Sequence, residues 1–423
     1  MMMAASVQAA TYAITGGTVA TVASDTPIEG GTVIVRDGRI VAVGKGIAVP
    51  AGATVIDATG KWVTPGLVAG YSDLGINEID FVGPTNDTAA GKSPFSAALD
   101  VSVALNGRST PIAIDRLGGV TRAAVSPGAS SEIFAGQGAL VRLADGVDIL
   151  DRPRAFQYIE MGENGARIAG GSRPAAWLNL RNGFLEAERY ARNPAAFDSG
   201  RDRDSLIKRL DAAALVPVVE GRMPALVHVE RASDILAVLR LRAEFPRLKL
   251  ILTGAREGWM VAAQIAAAKV PVLTLSLYDL PDSFEALAAT RSNIGRLVAA
   301  GVTVGLGAPD DDSSVQPRNL PYYAGNLVAQ ARVPGAVGLS HAQALATITR
   351  NTAQIWGMTD VGTLEPGKKA DVVVWDGDPL ELMSAPVSVM IDGVPQPMVS
   401  RQTLLRDRYR DLANPPLPPA YRP

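Results

Sequence analysis

The stretch TPGLVAGYSDLGIN (64–77) sets Tyr71 and Asp73 two residues apart at the end of an apolar run. If that run is a strand, positions i and i+2 share a face, so a phenol and a carboxylate point together from its end. The same spacing recurs in ALVHVERASD, where His228 and Glu230 close a second run. A third, LKLILTGAREGW, ends at Thr253-Gly254, and a fourth, GVTVGLGAPDDDSS, runs into Asp310, Asp311 and Asp312. Carboxylate oxygens with one imidazole can seat a hard divalent cation or pass a proton between carboxylate and ring. They cannot build a three-imidazole or thiolate zinc site, because the chain has 2 histidines, His228 and His341, and no cysteine.

The elements that would position these groups follow from periodicity. Residues 12–63 read as strands, and TVIVRDGRIVAVG turns about Asp37-Gly38, a pair suited to a type I′ hairpin because both positions tolerate positive φ. The pattern returns in KADVVVWDG (369–377) and VSVMIDGVP (387–395). The two chain ends are therefore expected to pair into one small β-sandwich, residues 12–66 with 359–400, with residues 67–358 inserted between them. Within the insert, PALVHVE leads into RASDILAVLRLRAEFP and LKLILTG into AREGWMVAAQIAAAK. VPVLTLS leads into a helix near 283–300, and GVTVGLG precedes helices near 320–331 and 340–356. Repeated strand-then-helix units over this length predict a (β/α)8 barrel.

In such a barrel reactive groups sit at the C-terminal ends of the strands, which gathers Tyr71, Asp73, His228, Glu230 and Asp310 at one mouth. The Gly-rich stretch SPGASSEIFAGQGAL (126–140) would shape a pocket there with Gln137. Arg256 and Glu257 open the next helix, where solvated charges are expected. Ser340 reads as an N-cap, which places His341 in the first turn of a surface helix. His228 itself is open to three roles: metal ligand, proton carrier, or a buried histidine held by a carboxylate.

The 423 residues carry a net charge of −2 with no block of like charge, so neither nucleic acid nor an anionic membrane is expected as a partner. A hydrophobic share of 47% with 19% charged residues fits a globular chain with a large core. No run approaches the ~18 apolar residues of a membrane span. The small, apolar start ending in Val7-Gln8-Ala9 is expected to be the remnant of an export signal over residues 1–11, implying a periplasmic or secreted protein, with a cytoplasmic N-terminus as the alternative. Residues 401–423 read as a C-terminal tail.

Several segments carry a family resemblance. VTPGLVAGYSDLG, DGRIVAVG and GTLEPGKKADVVVWDGDPL resemble the amidohydrolase superfamily. GGVTRAAVSPGASSEIFAGQGALVRL, MGENGARIAGGS, HVERASDI and NTAQIWGM narrow the resemblance to its imidazolonepropionase-like branch, over nearly the whole chain. That resemblance implies two metal-binding histidines on the first barrel strand, where Tyr71 and Asp73 stand. It implies a His-x-His at His228 and Glu230, a Glu-His at Thr253-Gly254, and a catalytic aspartate at Pro309, with Asp310 one residue late. The expectation is an amidohydrolase fold whose metal positions Tyr71, Asp73, His228, Glu230 and Gly254 are degenerate, without a resident cofactor. Such a protein would bind a small molecule, or act as a homodimer or beside an intact paralogue. Two alternatives stand: a hydrolase of non-peptide C–N bonds with one zinc, manganese or magnesium ion on Asp73, Glu230 and Asp310, and a metal-free acid–base enzyme using His228 and Glu230.

Overall fold

The computed structural model describes residues 10–79, 82–201, 205–276, 279–309 and 316–410. Asp310, Asp311 and Asp312 lie outside the described residues, as do residues 1–9 of the expected export remnant and 411–423 of the tail. No helix among the described residues is long and apolar enough to cross a membrane.

Both chain ends build one 8-stranded sheet. From the N-terminal side come β1 (Thr11–Val19), β2 (Ile28–Arg36), β3 (Arg39–Lys45), β4 (Thr54–Asp57) and β5 (Trp62–Pro65). From the far end come β14 (Val372–Trp375), β15 (Pro386–Ile391) and β16 (Val394–Pro395). The order is β16-β15-β14-β5-β1-β2-β3, with β4 and β5 sharing one edge of β1. The two sources meet where β14 pairs antiparallel with β5, Val373 opposite Thr64. Ile14, Val33, Val35, Val63, Val372 and Val374 form the apolar core of this layer. The Asp37-Gly38 turn has φ of 52° and 74°, and Asp392-Gly393 repeats it with 49° and 76°.

The second sheet also has 8 strands, in the order β13-β12-β11-β10-β9-β8-β7-β6. They are β6 (Leu67–Ser72), β7 (Val120–Val125), β8 (Phe134–Arg142), β9 (Leu150–Glu160), β10 (Ala225–Val229), β11 (Leu250–Gly254), β12 (Val272–Thr274) and β13 (Val304–Leu306). The first and last strands lie side by side because a Cβ on Gly70 would sit 2.5 Å from the Leu306 carbonyl oxygen, so only glycine fits there. The result is a nearly closed barrel filled by Val68, Ala124, Leu140, Phe156, Leu226, Ile251 and Leu273. One strand departs from the all-parallel expectation: β8 is antiparallel to both β7 and β9. The links 126–133 and 143–149 are too short for a parallel crossover, which takes about a dozen residues.

Helix α1 (Thr110–Leu117) links β6 to β7. Between β9 and β10 lie α2 (Gly162–Ile168), α3 (Arg173–Arg192), α4 (Pro194–Asp198) and α5 (Arg209–Val219). Helix α6 (Ala232–Glu244) follows β10 where RASDILAVLRLRAEF predicts it, and α7 (Ala262–Ala267) follows β11 after a 3₁₀ turn. The helix expected near 283–300 is only Asn293–Ala299, α8. Side chains from the end of β11 account for the loss by claiming backbone groups that a helix would need. Glu257 accepts from the Ala288 N–H, and Trp259 donates to the Ala288 carbonyl. The expected helix at 340–356 breaks at Thr349 into His341–Thr347 and Arg350–Ile355.

Candidate functional site

Period-2 alternation carries three side chains of β9 and three at β10 to the same face. Phe156 and Leu226 fill the barrel; above them Tyr158, Glu160, His228 and Glu230 turn the strand ends polar. His228 Nδ1 lies 2.7 Å from Glu160 Oε1, and Nε2 lies 3.1 Å from Glu230 Oε1. The Tyr158 hydroxyl donates to Glu160 Oε2 at 2.9 Å, and the Arg256 N–H donates to Glu230 Oε2 at 2.8 Å. The Arg256 guanidinium reaches Glu230 Oε1 at 3.5 Å and pairs with Asp282. All but Asp282 are buried.

An ionised carboxylate only accepts hydrogen bonds, so an imidazole lying between two of them donates from both nitrogens and is an imidazolium. Burial alone would push the His228 pKa down. Glu160 and then Glu230, by charge and hydrogen bonding, outweigh it and hold the ring well above its ordinary range. A histidine that ligates a metal must be neutral, with a lone pair directed at the ion. In this clamp both ring nitrogens of His228 face carboxylate oxygens. Among the described residues no three His, Cys, Asp or Glu side chains are grouped to hold a metal ion.

Gly254 ends β11 with φ of 84°. A Cβ there would lie 2.5 Å from Glu230 Oε1 and 2.7 Å from its Cδ. The Glu230 carboxylate thus occupies the volume a side chain at 254 would need, and the two positions are matched to each other.

The structure gathers His228, Glu230 and Gly254 in one cluster. Tyr71 is buried in the barrel, its ring 6.0 Å from that of Tyr158. Asp73 lies just beyond β6, where it accepts from Asn77 Nδ2 at 2.8 Å. Its charge bears instead on Asp115 of α1, whose pKa is raised to about 7, chiefly by burial. Gln137 sits on the reversed strand β8 and lines a cavity among Pro224, Leu250 and Pro271, at the opposite end of the barrel. Arg256 and Glu257 are not solvated: both are buried, and Glu257 accepts from the N-terminal Ala232 N–H of α6 at 3.0 Å. His341 lines a small cavity with Ala20, Val22 and Leu345. Its Nε2 lies 2.8 Å from Asp378 Oδ1 and its ring 5.3 Å from that of Trp62, which ties its helix to the terminal sheet.

Glu160 and Tyr158 are the members of the cluster that sequence reasoning missed. The signal was present in AFQYIEM: an apolar strand with a phenol and a carboxylate two residues apart at its C-terminal end, the spacing already noted at His228 and Glu230.

Comparison with known proteins bears on the scaffold. The model of the amidohydrolase family matches residues 249–396. Amidohydrolase tasK of Hapsidospora irregularis is 26% identical over 92% of this chain, which spans 42% of that relative's length. Imidazolonepropionase of Caulobacter sp. (strain K31) is 26% identical, with 82% of this chain and 88% of the relative covered. The crystal structure of an amidohydrolase from Thermotoga maritima MSB8 superposes with a TM-score of 0.79 at 26% identity, covering 91% of this chain and 99% of that one. Barrel, composite sheet and these likenesses agree: the chain is similar to the amidohydrolase superfamily and, within it, to the imidazolonepropionase-like branch.

Proposed function

We propose that this chain is a non-catalytic member of its superfamily, in which an internal ion-pair cluster replaces the metal, and that it works by binding a small molecule or as a partner subunit beside an intact relative. The observation that carries the reading is the clamp on His228, with both ring nitrogens directed at carboxylates. Glu230, in the space left by Gly254, supports it further. Metal-dependent hydrolysis needs about three firm ligands and an open position at which a bound water is acidified. In this site the positive charge that would face Glu160 and Glu230 is supplied by His228 and Arg256 instead, so a cation would have to displace charges already paired.

The relatives bear the names of enzymes, and a hydrolase of non-peptide C–N bonds with an oxygen-rich site is the competing reading. The two separate on one experiment. Protein purified without chelator is analysed for metal, then assayed on a panel of amides and lactams with and without added zinc, manganese or magnesium. The expected result is far less than one metal ion per chain and no turnover above buffer under any condition. Stoichiometric metal whose removal abolishes hydrolysis, with loss of activity in Asp73→Ala, would establish the hydrolase.

A further inference from the structure

The N-terminal ends of the barrel strands open into a cavity of ≈ 1040 Å³. It lies at the far end of the barrel from His228: Pro224 and Pro271 immediately precede β10 and β12, and Leu250 opens β11. This face of a barrel ordinarily serves stability, and reactive groups gather at the other.

In a chain of net charge −2, six cationic side chains surround this cavity, Arg152, Arg154, Arg222, Arg242, Lys249 and Lys269, against the single carboxylate of Asp100. Arg154 faces Asp100 at 3.8 Å, and Arg222 is paired with Glu220. Among the described residues the other four have no carboxylate at ion-pair distance. Two of those four are nonetheless held in place by backbone carbonyls, which orient a guanidinium without neutralising it. Arg152 donates to the Trp356 and Gly357 carbonyls at 3.2 and 3.4 Å, and Arg242 donates to Ala268 at 2.7 Å.

Backbone conformation adds a second observation. Arg154 and Lys269 adopt φ of 47° and 51°, a region that residues other than glycine rarely enter and that clusters at functional positions. The lining between the charges includes the apolar residues Ile251, Pro271 and Trp356. Oriented guanidiniums, free ammonium groups and apolar residues between them suit one chemistry: a small body carrying several negative charges.

We propose that this cavity is a binding site for a small polyanion, separate from the His228 cluster. Phosphate and carboxylate groups share the chemistry, so the probes are adenosine triphosphate for the one and benzene-1,3,5-tricarboxylate for the other, with adenosine as the uncharged control. Calorimetric titration of the full chain at low salt is expected to show one saturable site for at least one polyanion, with Kd below about 1 mM. The affinity should fall with added salt. Lys249→Glu with Lys269→Glu, both exposed, is expected to weaken it at least about tenfold, a change of ~1.4 kcal/mol. Arg242→Gln provides an independent variant expected to weaken it in the same direction, and circular dichroism checks that both fold. His228→Gln, checked for folding in the same way, is expected to bind as the parent does, which keeps the outcome independent of the reading of the other site. The proposal is overturned if neither polyanion binds saturably, if adenosine binds equally well, or if the folded lysine variant retains the parent's affinity.

Discussion

A charged ring with little contact with water has to stay paired, and that obligation makes His228 measurable. Replacing a buried ion pair wholesale can be neutral, but removing one partner leaves bare charge behind, at a cost of about 3–5 kcal/mol. His228→Gln leaves Glu160 and Glu230 without their shared cation and is expected to lose roughly that much stability in urea denaturation at pH 7. The sign of the pH dependence follows from the raised pKa of the folded state. Pairing contributes fully below the ordinary histidine pKa of ~6.5 and is lost as pH rises through the elevated folded value. Parent stability should therefore decline on the alkaline side, and the difference between parent and His228→Gln should shrink with it. An equal difference at pH 6 and pH 10 would contradict a protonated His228. At this scale the sequence makes His228 and Glu230 visible through their spacing, but not what they touch. Glu160 is 68 residues away, and only the barrel brings it to 2.7 Å.

Elements were legible where local pattern decides them. The Asp-Gly hairpins and α6 follow from turn chemistry and helical periodicity. The reversed strand β8 was not read, because period-2 alternation is the same in either direction; the information lay in the short links on both sides of it. The helix lost before Asn293 failed for the opposite reason, since Glu257 and Trp259, distant in the chain, take the backbone groups of Ala288. Elements also meet across the two sheets. Arg122 of β7 is fully buried and binds Asp371 at 2.7 and 3.2 Å and Asp392 at 2.5 Å, where β14 and the β15–β16 turn reach the barrel. Arg122→Met strands the buried Asp371 and is expected to cost about 3–5 kcal/mol. Because the bridge couples two cores, calorimetry should resolve two transitions in the variant where the parent has one. A single, merely shifted transition would mean that other contacts suffice.

For the molecule as a whole, composition concealed a local fact. A net charge near zero gave no hint of the cationic cavity, since its residues are scattered from Arg152 to Lys269 and converge only when the strand ends assemble. The division into barrel and terminal sheet was readable because each has its own rhythm. The joining of the two chain ends has a further consequence, for the order in which the protein can be made. Trp375 Nε1 donates to Thr64 Oγ1 at 2.9 Å across 311 residues, at the ladder where β14 covers β5. At the usual ~5–20 residues per second, a nascent chain carries β5 for roughly 15–60 s before its neighbour leaves the ribosome. Throughout that interval an unpaired strand edge is open to other chains. A chain stopped after Pro366 keeps the edge open permanently and is expected to aggregate, as light scattering would register, whereas a monodisperse product would show that β5 finds cover without β14.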